Sequence, residues 1–181
     1  MEPVDILSFV LILSIRGLVP FTLFRWPFWG ALACIAGDAA DSFILDGLGA
    51  TWIKGHYHFF DKSFDTYYLA FEAWVALHWK DPIARNTGIA LFLLRFSAVI
   101  LFEFTHIRQL FFIGANIFEN FYLYVVARLE IDRSYRIRSY RRLAIILVLV
   151  GAPKLLQEYV MHWRESQTWY FVKHNILMWK G

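Results

Sequence analysis

Long apolar runs, interrupted about every twenty residues by prolines, glycines and small charged clusters, dominate this chain. A helix crosses the hydrocarbon core of a bilayer in about 20 residues. Backbone in lipid must satisfy its own polar groups, so runs of this kind predict helices. The first run covers 4–24, with Pro20 near its end, and the second covers 27–46. Pro27 opens the second, a residue suited to a first helical turn. Gly47, Gly49 and Gly55, with His56 and His58, predict a loop over 48–60. Further spans are predicted over 61–79, 87–105, 110–127 and 143–163. Residues 164–181 mix Trp169, Tyr170, Phe171 and Trp179 with Lys173, His174 and Lys180, which suits the bilayer interface. The pattern predicts an all-α fold, a polytopic membrane helix bundle of about six transmembrane helices in one domain over 1–181.

Composition narrows the classes further. Of the 181 residues 59% are apolar and 18% are charged, against about 45–50% and 25% in a soluble domain. Disorder, a collagen-like chain and a soluble coiled coil are excluded. A net charge of +3 with scattered Lys and Arg is not the footprint of a nucleic-acid binder, so no nucleic-acid partner is expected. Cys34 is the single cysteine and forbids an internal disulfide. The first run carries Arg16 and lacks a basic leader and a cleavage site, so it is read as a retained span. The expected setting is the plasma (inner) membrane, with membrane lipids as partners. On a six-span topology, nine Lys and Arg fall on the side of the 128–142 segment and six on the side of the termini. The positive-inside rule then favours the arginine-rich side as the inner one.

The candidate chemistry is acidic. Asp38 and Asp41 stand three apart in the second run and share one helix face; Asp46 follows. Asp61 and Asp65 stand four apart at the start of the third predicted helix. One aspartate at the bilayer centre costs about 2.5–3.5 kcal/mol, and two on a face also repel. A divalent cation held by Asp38, Asp41, Asp61 and Asp65 would answer both problems, and hard carboxylate oxygens suit Mg²⁺, Mn²⁺ or Ca²⁺. A structural alternative stands beside it. Asp61 would cap a helix, Asp46 would mark a wet helix end, and Asp38 and Asp41 would pair with Arg16 or Arg95.

These residues also carry a resemblance. Asp38-Ala-Ala-Asp41 and Asp61-Lys-Ser-Phe-Asp65, preceded by Arg16 and Pro20, are similar to the signature of the CDP-alcohol phosphatidyltransferase family. That signature reads D-x2-D-G-x2-A-R-x8-G-x3-D-x3-D and straddles the second and third of six membrane helices. The likeness covers roughly residues 10 to 100. It implies transfer of a phosphatidyl or phospho-alcohol group from a CDP-linked lipid to an alcohol, with Mg²⁺ or Mn²⁺ as cofactor. Asp38, Asp41 and Asp61 would hold the metal, and Asp65 would act as the catalytic base. Asp46-Gly47 begins a D-G-x2-A stretch, and Lys54 or Lys62 would face the substrate phosphates. The sequence departs from the signature at Ser42, at the missing Ala-Arg pair, and in spacing, with 20 positions from Asp41 to Asp61 instead of 18. Those departures keep a second reading open: a catalytically degenerate accessory subunit of a larger membrane complex, or a homodimer. A small proton-coupled transporter ranks third, since no inverted repeat is visible.

Other constellations are weaker. Glu103 and His106 form one Glu-x2-His unit, where a di-iron bundle needs two. Glu158 and His162 stand four apart near the last helix end. His78 beside Trp79 reads as interfacial belting. His56 and His58 flank the acidic region and read as solvated or as proton-transfer groups. Six arginines between Arg128 and Arg142 read as a topology anchor, or as a contact for anionic headgroups or an acidic partner.

Overall fold

The computed structural model describes the backbone of residues 3–48, 52–107 and 109–159; the side chains of 42, 46, 52–61, 111 and 158 lie outside that description. The described residues are helical, with no strand among them. Helix α1 covers Pro3–Leu18 and passes into a 3₁₀ turn over Val19–Phe24. It is followed by α2 (Pro27–Leu48), α3 (Trp52–Leu77), α4 (Pro82–Thr105), α5 (Gln109–Ile113), α6 (Ile117–Ile131) and α7 (Tyr140–Glu158). The chain divides between Val75 and Ala76 into two compact units.

In the first unit α1 is built inside out. Asp5, Ser8, Ile12 and Arg16 recur at helical spacing, and all four are buried. Ile6, Leu7, Val10 and Leu13 point outward. A soluble helix does the reverse; a polar stripe turned inward and an apolar face turned outward suit lipid. Pro20 cannot continue the α-helical hydrogen bonding, and the chain tightens into the 3₁₀ turn. Trp26 N–H then donates to the Thr22 carbonyl at 2.8 Å, and α2 begins at Pro27. Gly30 allows α2 to lie against that turn, because a Cβ there would stand 2.8 Å from the Leu23 backbone nitrogen. Phe71 of α3 packs against Phe21 and Phe24 of the same turn, and Tyr67 packs edge-on against Phe71.

The start of α3 corrects the expected loop over 48–60, most of which is helix. The segment has no proline, and one interior glycine, Gly55, costs about 1 kcal/mol, too little to stop a helix. Asp61 is therefore an interior residue of α3, not the cap of a helix.

In the second unit α4 begins at Pro82, five residues before the predicted start. Asp81 is the N-cap, accepting the Ile83 N–H at 3.0 Å, and Pro82 fills the first turn. The predicted fifth span is interrupted at Gly114, Ala115 and Asn116. Asn116 caps α6 by accepting the Glu119 N–H, while its amide donates to the Glu119 carboxylate at 2.9 Å. Phe118, Phe121 and Tyr122 fill the core of this unit. Trp79 stacks on Tyr122 with centroids 5.6 Å apart. It is a core residue, 7% exposed, and not part of an interfacial belt.

Among the described residues three segments are long and apolar enough to cross a membrane: Pro3–Phe24, Pro27–Leu45 and Pro82–Thr105. The other predicted spans fall on α3, which carries Asp61, Lys62, Asp65 and Glu72, on the interrupted α5 and α6, and on α7, which opens with Arg141 and Arg142.

Gly30→Val is expected to destabilise the protein by about 1–3 kcal/mol, as overpacking against fixed backbone does. Gly17, where an added Cβ meets nothing within 4 Å, should accept alanine without loss. Unfolding midpoints of the two variants in detergent micelles check this pair.

Candidate functional site

Three helices of the first unit meet at one guanidinium. Arg16 arrives from the inward stripe of α1, and its side chain is 3% exposed. Asp38 and Asp41 arrive from α2, one turn apart on one face, and Asp65 arrives from α3. Nη1 of Arg16 donates to Oδ1 of Asp38 and, at 3.0 Å, to Oδ2 of Asp41. Nη2 donates to Oδ1 of Asp65 at 2.7 Å. The Phe64 ring lies 5.6 Å from the guanidinium carbon and covers it from another side.

The cluster has a closed back and an open front. Asp41 is fully buried, whereas the Asp38 and Asp65 side chains are 42% and 30% exposed. A buried charge is tolerated only when paired and hydrogen-bonded. The planar fork of arginine serves carboxylates on two helices at once, which a lysine ammonium would not do in the same way. Tyr67 adds a further tie between α3 and α1 by donating to the Gly17 carbonyl at 3.2 Å.

Of the four aspartates expected in one site, the structure brings Asp38, Asp41 and Asp65 together. Asp61 stands one helical turn before Asp65 on α3, and its side chain lies outside the described residues. The same holds for the side chains of Asp46 on α2 and Lys54 on α3, and for those of His56 and His58. Gly47 is exposed, with open space around an added Cβ, so no close backbone approach requires it. Lys62 is half-buried, and its carbonyl accepts the Thr66 hydroxyl at 2.9 Å. Among the described residues, which leave out the Asp61 side chain, no three acidic, histidine or cysteine side chains are arranged to hold a metal ion. The cation at the centre of the three aspartates is the guanidinium itself. The donor chemistry, three carboxylates with hard oxygens, nevertheless suits Mg²⁺ or Mn²⁺.

Sequence reasoning passed over two buried acids. Asp5 lies on the stripe of α1 that ends in Arg16, and Glu72 lies seven residues beyond Asp65 on α3; both are almost fully buried. Their spacing of eleven and seven from residues already singled out was the available signal.

Glu103 and His106 do not form a ligand pair on one helix face. His106 is the left-handed C-cap residue of α4, with φ of 54°, so the unit straddles a helix end. His162 lies outside the described residues, as does the side chain of Glu158. The arginine-rich segment is ordered by local bonds. Asp132 Oδ1 accepts the Ser134 N–H and hydroxyl at 2.9 and 2.7 Å, which hold its carboxyl below the usual range. Tyr135 and Tyr124 share a hydroxyl hydrogen bond of 2.9 Å. Partial burial and that bond push the Tyr135 phenol up to about 12.

No family model, curated protein or solved structure matches the chain.

Arg16→Met should destabilise the protein by about 3–5 kcal/mol, because it leaves carboxylates gathered without their shared cation. Adding Asp41→Asn to that variant should recover part of the loss. A double-mutant cycle by chemical unfolding in micelles measures the coupling.

At the Tyr135–Tyr124 pair the alkaline limb is informative. A phenol raised above its ordinary value of 10.0 stabilises the fold fully below that pH, and the contribution is lost as pH rises through about 12. Tyr135→Phe should remove this limb from an alkaline titration followed by circular dichroism.

Proposed function

We propose that the chain is a metal-dependent phosphotransferase of the CDP-alcohol type, working in phospholipid synthesis, with its centre on Asp38, Asp41, Asp61 and Asp65. One observation carries the reading: three of these aspartates, from two helices, come within hydrogen-bond distance of a single cationic group inside an apolar bundle. Convergence of this kind is costly in lipid, and the spacing within each pair, Asp38-x2-Asp41 and Asp61-x3-Asp65, is that of the family signature.

The working form is a six-span bundle in the plasma (inner) membrane, in contact with the lipids it acts on. Asp38, Asp41 and Asp61 are the residues to hold Mg²⁺ or Mn²⁺. A bound divalent ion supplies the charge that polarises a pyrophosphate. Asp65, on the open side of the cluster, takes the proton from an acceptor hydroxyl as that oxygen bonds to phosphorus and the bond to CMP breaks. Lys54, Lys62 and the segment around Asp46 and Gly47 are the candidates to face the donor phosphates.

A second reading rests on its own observation. Arg16 already holds the position between the aspartates, and Ser42 replaces the glycine that the signature requires. An internal counter-ion of this kind would serve a degenerate accessory subunit as well.

Manganese binding separates the two. Under the first reading the purified chain binds Mn²⁺, detected by electron paramagnetic resonance, and Asp38→Asn with Asp41→Asn abolishes binding. Asp65→Asn then retains the metal and loses transfer from CDP-diacylglycerol to an alcohol by about 100-fold or more. Absence of Mn²⁺ binding by a well-folded wild type supports the accessory subunit.

A further inference from the structure

The second unit contains a cavity that the carboxylate cluster does not use. The segment between α6 and α7 carries Arg133, Arg136 and Arg138, which with His78 and Lys80 line a cavity of about 650 Å³. Three ties hold this segment in place. Ser134 closes a turn on Asp132. The Ile137 N–H donates to one oxygen of buried Asp81, whose other oxygen caps α4. Tyr135 bonds Tyr124, and the Arg128 guanidinium lies 4.8 Å from the Tyr135 ring centre.

The arrangement is electrostatically one-sided. Four formal positive charges surround the space and repel one another. Two acids are near. Asp81 lines the cavity and accepts two backbone N–H groups. Asp132 accepts from Ser134 and lies in the field of Arg138, so the cations remain in excess. A topology anchor needs arginines on one side of the membrane, and it needs neither a cavity nor ties that gather them around it. An anion within the cavity removes the repulsion. Arginine forks match phosphate oxygens in pairs, and one part of the wall, formed by Trp79, Ala84, Val125 and Leu129, is apolar.

We propose that this cavity is a phosphate-recognition site in which Arg133, Arg136, Arg138 and Lys80 hold the phosphate of an amphipathic ligand whose apolar part lies along Val125 and Leu129. The phosphate belongs either to an anionic phospholipid headgroup or to a phosphate ester from solution. The site shares no residue with the aspartate cluster and stands independently of the transferase reading.

The test uses the full chain in phosphatidylcholine nanodiscs, challenged with dioleoyl phosphatidic acid in the bilayer or with inorganic phosphate in solution. The read-out is the unfolding midpoint as a function of probe concentration. Arg133→Ala with Arg136→Ala leaves the three ties intact; Arg25→Ala with Arg141→Ala is the charge-matched control, since neither residue lines the cavity. Stabilisation by phosphatidic acid, weakened about 25-fold in the cavity variant at about five-fold per arginine and unchanged in the control, assigns a headgroup. Saturable stabilisation by inorganic phosphate with the same variant pattern assigns a soluble ester. No response to either probe, or equal responses from the cavity variant and the wild type, overturns the site.

Discussion

A guanidinium surrounded by apolar helices has few stable arrangements. Alone at the centre of a bilayer it costs about 2.5–3.5 kcal/mol, and an aspartate costs a similar amount. In the first unit these penalties offset one another because Arg16, Asp38, Asp41 and Asp65 meet. The meeting is directional. Apolar contact does little to fix helix rotation in lipid, since acyl tails are as apolar as leucine. A forked hydrogen-bonding group fixes the rotation of α1, α2 and α3 together. The inward stripe of α1, which ends in Arg16, belongs to this constraint.

Helical class and several helix ends were legible in the residues. Pro27 is a start signal that acts locally, and the structure uses it; Asp81 with Pro82 acts in the same way, five residues before the predicted start of the fourth span. The early start of α3 was hidden because closely spaced glycines resemble a loop when tertiary context is missing. The break before α6 was hidden for the opposite reason: Asn116 with Glu119 is a capping pattern, but it lies within an apolar run that reads as continuous. Trp79 beside His78 at a helix end resembled an interface anchor, although its ring belongs to the core.

The acidic spacing was informative at one level and silent at the next. Three and four residues between aspartates placed each pair on a face, and the structure brings three of them to one point. Which cation stands there was open between a metal and Arg16, because spacing describes faces and not which helix supplies the counter-charge. Asp5 and Glu72 escaped notice because their spacing from Arg16 and Asp65 acquires meaning only once the buried faces of α1 and α3 are known.

The stripe on α1 also bears on how the chain enters a membrane during synthesis. Arg16 precedes Asp38 and Asp41 by 22 and 25 residues, and Asp65 by 49. The first helix is therefore made before any of these counter-charges exists. Inserted alone, it would expose arginine to acyl chains; inserted as a hairpin with α2, it brings two aspartates with it. Entry as a hairpin would therefore bring Arg16 in with two of its three counter-charges, and α3 carries the third.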